Sequence, residues 1–262
     1  MQVRISVIIV SYNSESFIEK CIVSVLKNLP PDGEVLILDN ASTDRTVVLL
    51  EKFLTKIKLI KSNENLGFSR GNNKAVREAT GEYLFFLNPD TEINEPIFDE
   101  IIEFYEETPD AGIVGPKLIM ENGEVQPTVR KLPTILGAFK EYILGTKFAY
   151  GQYVPKTENP LEVEMVYGAA MLIRKDLFEK LGGFEEKYFL YYEDADLCKR
   201  VRKNGQKIYY YPKIAIKHLV GATQTSQDKY RLNLASAALY HGFLGRLALT
   251  VIFQIYRLRR HL

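Results

Sequence analysis

Polar side chains follow several apolar runs of the sequence at the point where each run ends. The runs "ISVIIVSYN", "EVLILDN" and "EYLFFLNPD" each predict a strand. In a parallel sheet the carboxyl ends of the strands share one edge, where ligands bind. A carboxylate there can accept a hydrogen bond from a nucleobase or ribose, or hold a hard divalent cation against phosphates. The residues offered are Ser11, Tyr12 and Asn13, then Asp39 and Asn40, and then Asn88 and Asp90.

The usual phosphate-binding loops are missing after the first predicted strand. Neither GxGxxG nor the Walker A sequence occurs there, so a nucleoside diphosphate would need a counter-cation, for which Asp90 can supply a ligand. The competing interpretation is that polar residues end strands because turns require them. That suffices for Asn40, Ser42 or Asn63 taken singly, whereas Asp39, Asp44 and Asp90 together favour a binding site.

A second acidic cluster lies in "YFLYYEDADLCKR", where Glu193, Asp194 and Asp196 follow four aromatic residues. Acidic residues favour the first turn of a helix, but that preference does not account for the aromatic residues. Aromatic surroundings suit a sugar-binding or desolvated site, where the pKa of a carboxylate rises towards that of a general base. His218 closes the tyrosine-rich run "KIYYYPKIAIKH", and on this evidence it is either structural or a ligand.

The elements that must position these residues alternate between strand and helix over residues 1–120, which predicts a parallel sheet with crossover connections. We expect Ser14 to cap the first helix and Gly81 to end the third. The alternation stops after about residue 120. The segment from Asn122 to Glu162 is rich in Gly, Pro and polar residues, and it predicts a lid or an insertion that shapes a cleft.

The C-terminal segment is strongly apolar, but His241 and Arg246 interrupt it. Its uninterrupted part after Arg246 is shorter than the roughly 20 residues that a bilayer requires. Three arginines, Arg257, Arg259 and Arg260, follow near the end. Two interpretations remain open: a basic amphipathic helix on a membrane surface, or a helix docked on the core or on a second subunit as a homodimer.

Bulk properties restrict the class of protein. A chain of 262 residues can form one large domain or two small ones. Its net charge of +1 is no excess that would attract nucleic acid. Its two cysteines, Cys21 and Cys198, have no CxxC spacing, which argues against a zinc site and suits a reducing compartment. The N-terminal run does not resemble a signal peptide. We therefore expect a cytoplasmic protein, with peripheral attachment to the inner face of the membrane as one use of the tail.

Five motifs in order, "VSYN", "DNASTD", "NENLGFSRGNN", "LNPD" and "YYEDADLCKRVRKNG", carry a family resemblance over about residues 3–222. The chain resembles the family 2 glycosyltransferases with the GT-A fold, particularly the bacterial and archaeal subset that includes rhamnosyltransferases of polysaccharide assembly. The resemblance implies an α/β protein with a mostly parallel central sheet flanked by helices. It implies a GT-A domain over 1–222, with a nucleotide-sugar half at 1–120 and an acceptor half at 121–222, and a helical tail at 223–262.

The resemblance also implies an inverting transfer from a nucleoside-diphosphate sugar, dTDP- or UDP-linked, to a saccharide or lipid-linked saccharide. Asp194 would be the catalytic base, and Glu193 would orient the acceptor or the base. Asp90 and His218 would hold Mg²⁺ or Mn²⁺ on the diphosphate, with Asn88 where the family's DxD motif has its first aspartate. The donor contacts would come from Ser11, Tyr12, Asn13, Asp39, Asn40, Asp44, Gly67, Phe68, Arg70, Asn72 and Asn88.

Two alternatives compete with this prediction. A polyprenyl-phosphate sugar synthase would share the fold and the donor site, although the segment "YYEDADLCKR" after a long insertion fits polysaccharide-type transferases better. A catalytically silent nucleotide-binding subunit would be expected to lack the base or the metal aspartate, and both Asp194 and Asp90 are present. A nucleotidyltransferase is disfavoured because no Gly-rich loop follows the first strand.

Overall fold

A nine-stranded mixed sheet forms the centre of the protein, in a computed structural model that describes residues 4–219 and 226–260. The strands are β1 Ile5–Ser11, β2 Gly33–Asp39, β3 Lys58–Lys61, β4 Tyr83–Leu87, β5 Thr91–Glu92, β6 Ala111–Ile119, β7 Val129–Arg130, β8 Leu161–Val163, β9 Met165–Val166, β10 Ala170–Arg174 and β11 Lys207–His218. The helices are α1 Ile18–Asn28, α2 Thr46–Glu51, α3 Gly67–Val76, α4 Phe98–Glu107, α5 Ile135–Tyr142, α6 Lys175–Lys180, α7 Glu193–Lys203 and α8 Ser226–Arg260. The predicted boundary between residues 222 and 223 lies outside the described residues.

The first half of the sheet is parallel, as the sequence predicts. Its strand order is β3-β2-β1-β4, and Ser11 pairs with Asp39, so the ends of β1 and β2 lie side by side. β10 then enters antiparallel between β4 and β6, and β11 runs parallel to β6. Because β10 closes off β4 on its second side, all five residues of β4 are buried. The predicted strand is present, and it is buried on both faces.

Two local predictions are wrong. α1 begins at Ile18 without a side-chain cap, and the buried backbone N–H of Ser14 donates instead to Thr46 Oγ1 at 2.7 Å. Ser14 therefore joins the turn after β1 to the start of α2. α3 ends at Val76, five residues before Gly81. A Cβ at Gly81 would lie 2.6 Å from the backbone nitrogen of Ser6, so close strand contact rather than helix capping requires glycine there.

The segment from residue 122 to 162 contributes β7, α5 and β8, and β7 pairs with β9 in a separate two-stranded sheet. α5 packs against α8 through the ring of Tyr142, whose centroid lies 5.0 Å from that of Phe253. α8 is broken at Gly242, where φ is 73° and ψ is 174°. By length and composition the 29 residues Arg231–Arg259 could cross a membrane, but the second half of α8 lies against α5.

The aromatic packing of β4 gives a stability test. The Phe86 ring is fully buried and lies 5.1 Å from the Phe178 ring and 4.9 Å from the Phe184 ring. We expect Phe86→Ala to lower the free energy of unfolding by about 3–5 kcal/mol, because it leaves a cavity in the core. Urea denaturation measures the change. Val48→Ala, at a site 57% exposed, serves as the control and should change stability by less than about 0.5 kcal/mol; equal losses would contradict this packing.

Candidate active site

A cleft of about 430 Å³ lies over the carboxyl edge of the sheet. Residues from both halves of the chain line it. Nine of the predicted site residues do so: Tyr12, Asn40, Gly67, Phe68, Asn88, Asp90, Glu193, Asp194 and His218. The structure therefore brings together the two acidic clusters that the sequence separates by about a hundred residues.

Asp90 and His218 meet at one end of a short strand pairing. β5 pairs with β11 through Thr91 and His218, and the backbone N–H of Leu219 donates to the carbonyl of Asp90 at 2.8 Å. His218 Nε2 lies 3.2 Å from Asp90 Oδ1, and the side chains are only 7% and 16% exposed. The other ring nitrogen, Nδ1, is 2.7 Å from Gln126 Oε1, which fixes the orientation of the imidazole.

This pair fits part of a divalent-metal site. Apart from its 3.2 Å contact with Asp90 Oδ1, His218 Nε2 is buried without a hydrogen-bond partner within the described residues. No cluster of three or more His, Cys, Asp or Glu residues suitable for a metal occurs in residues 4–219 and 226–260. One carboxylate and one imidazole suit an ion that takes its remaining ligands from substrate phosphates and water.

Asp39 ends β2 directly before Asn40, which lines the cleft, although Asp39 does not line the cleft itself. Its Oδ2 accepts a hydrogen bond from the backbone N–H of Ser42 at 3.0 Å. Its Oδ1 is buried and has no hydrogen-bond partner among the residues that the structure describes. A buried carboxylate oxygen of this kind is satisfied when a ligand supplies an N–H or O–H group.

The turns around Asp39 are held by residues that do not line the cleft. Ser11 is buried, and its hydroxyl lies 3.5 Å from the carbonyl of Leu38. Asn13 adopts a left-handed conformation, with φ at 47°, and its side chain accepts a hydrogen bond from the backbone of Thr43 at 2.8 Å. Both residues shape the loops rather than offering a side chain to the cavity.

Three other predicted donor residues also lie outside the cleft. The carboxylate of Asp44 accepts backbone hydrogen bonds from Thr46 and Glu15, and these lower its pKa although partial burial opposes them. Asp44 therefore orders the start of α2. Asn72 is buried and donates to the carbonyl of Phe68. Arg70 is exposed and lies 3.6 Å from Glu64, beside a different surface cavity.

Asn40 and Gly67 hold the two sides of the cleft together. Asn40 Oδ1 accepts from the backbone of Leu66, and Asn40 Nδ2 donates to the carbonyl of Gly67 at 2.9 Å. Gly67 has φ at +74°, and a Cβ there would lie 2.4 Å from the carbonyl oxygen of Phe189. That same carbonyl accepts the backbone N–H of Phe68 at 2.7 Å. Only glycine permits this approach between the start of α3 and the segment before α7.

The carboxylates Glu193 and Asp194 begin α7 directly after a strained turn. Tyr191 and Tyr192 have φ values of 72° and 69°. Bulky residues rarely adopt this left-handed conformation, and such strain costs on the order of 1–3 kcal/mol per residue. Asp194 Oδ2 accepts a hydrogen bond from the backbone of Gly168 at 3.3 Å. The strain and this bond fix Asp194 towards the cleft.

Burial changes the proton affinity of both carboxylates. Desolvation, with repulsion from Asp194, raises the pKa of Glu193 well above its ordinary value. Desolvation also raises the pKa of Asp194, although backbone hydrogen bonds from Ala195 and Gly168 and the charge of Arg130 oppose the rise. Glu193 Oε2 is buried with no hydrogen-bond partner within the described residues. The pair therefore has the raised proton affinity that a general base near neutral pH requires.

Arg130 is a cleft residue that the sequence reasoning missed. Its guanidinium lies 4.8 Å from the centre of the Tyr150 ring, and its Nε and Nη2 are buried without hydrogen-bond partners in the described chain. The surrounding sequence has no periodicity that would indicate this position. The pairing of Arg130 with Met165 places it beside the segment that contacts Asp194.

Comparison with known proteins identifies the family. Residues 6–182 match the family model described as Glycosyl transferase family 2. The chain belongs to this family. Residues 150–222 of this family 2 glycosyltransferase also match a model described as the N-terminal domain of galactosyltransferase.

Curated relatives of this family 2 member include rhamnosyltransferases. It is 26% identical over 231 residues to the N-acetylglucosaminyl-diphospho-decaprenol L-rhamnosyltransferase of Mycobacterium tuberculosis, covering 81% of this chain and 75% of the relative. It is 28% identical to rhamnosyltransferase WbbL of Escherichia coli K12, covering 79% and 80% of the two chains. The predicted resemblance to rhamnosyltransferases is confirmed.

Solved structures establish the fold. The crystal structure of GalNAc-T7 with UDP, GalNAc and Mn²⁺ superposes with a TM-score of 0.67 at 14% identity, covering 98% of this chain and 55% of that one. Staphylococcus aureus TarS 1-349 with UDP gives a TM-score of 0.60 at 22% identity, covering 90% and 64%. The chain thus spans less than two thirds of either protein. The predicted α/β GT-A fold of this glycosyltransferase is confirmed.

The raised pKa of Glu193 predicts a pH-dependent loss of stability. Between the ordinary and the raised carboxyl pKa, the folded protein binds more protons than the unfolded chain, so its stability falls as pH rises. We expect Glu193→Gln to lose less unfolding free energy than the parent between about pH 5 and about pH 8, because its amide does not ionise. Urea denaturation at both pH values measures this.

The matched control for that experiment is Glu179→Gln, at a position where the side chain is 59% exposed. It should keep the pH dependence of the parent. Parallel stability profiles for Glu193→Gln and the parent would show that Glu193 has no raised pKa.

Proposed function

We propose that this glycosyltransferase is an inverting enzyme that moves a sugar from a dTDP- or UDP-linked donor to a saccharide or lipid-linked saccharide in cell-surface polysaccharide synthesis. The observation that carries the proposal is the shared cleft. It exposes the Asp90–His218 pair and the buried Glu193–Asp194 pair to one cavity. The first pair suits the diphosphate of a nucleotide sugar, and the second suits the hydroxyl of an acceptor.

The donor would be recognised by the strand ends. Asp39 Oδ1, which lacks a hydrogen-bond partner in the described chain, suits an N–H of the nucleobase. Tyr12, Asn40 and Phe68 line the cleft nearby. The roles of Asp44, Arg70 and Asn72 would be indirect, because their side chains do not line that cavity and, unlike Asp39, have no buried polar atom without a partner.

Asp90 and His218 would hold Mg²⁺ or Mn²⁺. A bound divalent ion would supply neutralising charge to the departing diphosphate. Asn88 also lines the cleft, at the turn after β4, where it would contact the donor rather than replace a carboxylate ligand. Two of the structurally similar proteins were solved with Mn²⁺. They are the GalNAc-T7 complex and a mannosyltransferase of Pyrobaculum calidifontis with GDP-Man.

Asp194 would act as the base. It would take the proton from an acceptor hydroxyl while that oxygen bonds to the anomeric carbon and the bond from that carbon to the diphosphate oxygen breaks. The diphosphate leaves as an anion, so no protonating acid is required. Glu193 would stay behind the base and hold its position, because its own carboxylate is almost completely buried.

The proposed acceptor and the proposed cellular location are supported by one relative and by the two cysteines. The mycobacterial relative is named for a diphospho-decaprenol acceptor, which supports a lipid-linked acceptor here. A polyprenyl-phosphate sugar synthase is the alternative within the same donor chemistry. Cys21 and Cys198 are both buried and unpaired, consistent with the cytoplasmic location that we propose.

The variant Asp194→Asn tests sugar transfer separately from nucleotide binding. We expect the variant to lose on the order of 10²–10⁴-fold in transfer rate, because no other group takes the acceptor proton, while nucleoside-diphosphate binding is kept. Product analysis with dTDP-, UDP- and GDP-linked donors measures turnover and anomeric configuration, and thermal shift measures binding.

The control is Asp99→Asn, at a carboxylate that is 78% exposed on α4, which should transfer like the parent. Full transfer by Asp194→Asn would remove its role as base. Nucleotide binding without turnover by the parent, across donors and acceptors, would instead favour a catalytically silent subunit.

A further inference from the structure

The second half of α8 carries a row of exposed apolar side chains. From Leu244 onwards they recur every three or four residues, the spacing that places side chains on one helix face, and Phe243 precedes them. Their exposed fractions are 77% for Phe243, 77% for Leu244, 54% for Leu247, 47% for Val251, 40% for Ile255 and 67% for Leu258. We call these six residues the α8 stripe. A row of this size on a soluble surface indicates a contact with something apolar.

The opposite face of the same helix is occupied by protein. Leu249 and Ile252 are buried, in a cluster that includes Ala138 of α5. Arg259 Nη1 donates to the carbonyl of Ile143 at 3.0 Å. Because one face is docked, lipid cannot surround this helix as it surrounds a membrane-spanning one. The α8 stripe can enter only the interfacial layer of a bilayer, with the helix lying flat.

Charge identifies the partner. No acidic residue follows Asp228 in the sequence, whereas Lys229, Arg231, Arg246, Arg257, Arg259 and Arg260 do. The whole chain has a net charge of only +1, so the rest of the protein is net negative. An anionic bilayer would attract the end that bears the stripe and repel the body, which sets one orientation. A second copy of the chain would bring the same arginines against each other.

α5 and the turn after it provide further apolar groups beside this helix. Leu136 is 61% exposed, Phe139 42%, Leu144 64% and Phe148 50%, and Lys140 and Lys147 lie among them. The Cβ of a residue at Gly245 would lie 3.5 Å from Ile135 Cδ1, so α5 begins next to the stripe-bearing half of α8. The mixture of apolar and basic side chains therefore extends beyond a single helix.

The first half of α8 is attached to the catalytic segment. Ser236 Oγ donates to the carbonyl of Leu190 at 2.7 Å, and the rings of Tyr240 and Tyr192 lie 5.3 Å apart. Asn233 lines the cleft itself. A bilayer contact on the second half of α8 would thus lie one helix break away from the residues that position Glu193.

We propose that the α8 stripe docks this enzyme on the surface of an anionic lipid bilayer, with α8 parallel to the membrane and the cleft held beside it. The docking does not depend on the reaction. Its use, the capture of a lipid-linked acceptor where the acceptor is embedded, rests on the proposed function.

Co-sedimentation of the full chain with vesicles tests the docking. One vesicle population contains phosphatidylcholine alone, and the other also contains phosphatidylglycerol. We expect strong partitioning of the parent to the anionic vesicles, weaker partitioning to the neutral ones, and a decrease with added salt. The combined variant Leu244→Gln, Leu247→Gln, Val251→Gln should lose at least about tenfold in partitioning to the anionic vesicles.

A matched variant carries Val23→Gln, Val48→Gln and Leu54→Gln, at positions 51%, 57% and 54% exposed on other surfaces. It should partition like the parent. Circular dichroism tests whether both variants are folded, and thermal shift tests whether they bind nucleoside diphosphates. A failure of docking is then distinguishable from a failure of the proposed reaction.

Equal partitioning of the stripe variant and the parent would overturn the proposal, as would a parent that stays in the supernatant with anionic vesicles. If light scattering shows a dimer of the parent that the stripe variant dissociates, and vesicles do not compete with that dimer, then the stripe is a subunit interface instead.

Discussion

The candidate site depends on the short pairing of β5 with β11, which is two residues long. β5 joins β11 through Glu92 with Lys217 and Thr91 with His218, and the backbone N–H of Leu219 adds a bond to the carbonyl of Asp90. These contacts hold the turn after β4 against the end of β11, so that their side chains share a cavity. As a result, Asp90 and His218, 128 positions apart in sequence, lie 3.2 Å apart. Such a short pairing is stable because β4 and β11 belong to a large buried sheet.

The segment that carries Glu193 and Asp194 is also positioned by a small number of contacts. The carbonyl of Phe189 accepts the N–H of Phe68, the second residue of α3, and lies against Gly67. The start of α3 and the segment before α7 therefore cannot separate without losing a hydrogen bond. The left-handed residues Tyr191 and Tyr192 then turn the chain so that Glu193 and Asp194 begin α7 inside the cleft. Packing of Tyr240 on Tyr192 helps to maintain this strained turn. The strained backbone of Tyr191 and Tyr192 is what brings Glu193 and Asp194 into a buried place, and that burial raises the pKa of both carboxylates.

Much of this architecture could be predicted from the sequence, since it follows from local patterns. Alternating apolar runs and helical spacing predict the parallel half of the sheet, and the polar ends of β1, β2 and β4 predict where ligands bind. Long-range packing could not be predicted. Gly81 resembles a helix cap in sequence, yet it serves a strand contact with Ser6. Arg130 enters the cleft through pairing with a strand that lies more than thirty residues away, and no local signal reports such a partner.

The proposed function depends most on whether Asp90 and His218 hold a metal ion against a nucleoside diphosphate. Isothermal titration of dTDP and UDP, with Mn²⁺ and in chelator, tests it directly on the parent and on Asp90→Asn and His218→Ala. We expect Mn²⁺ to tighten the binding of one nucleotide to the parent by at least about tenfold, which is about 1.4 kcal/mol, and both variants to lose this gain. Equal affinity with and without metal in the parent, or an undiminished metal effect in both variants, would contradict it.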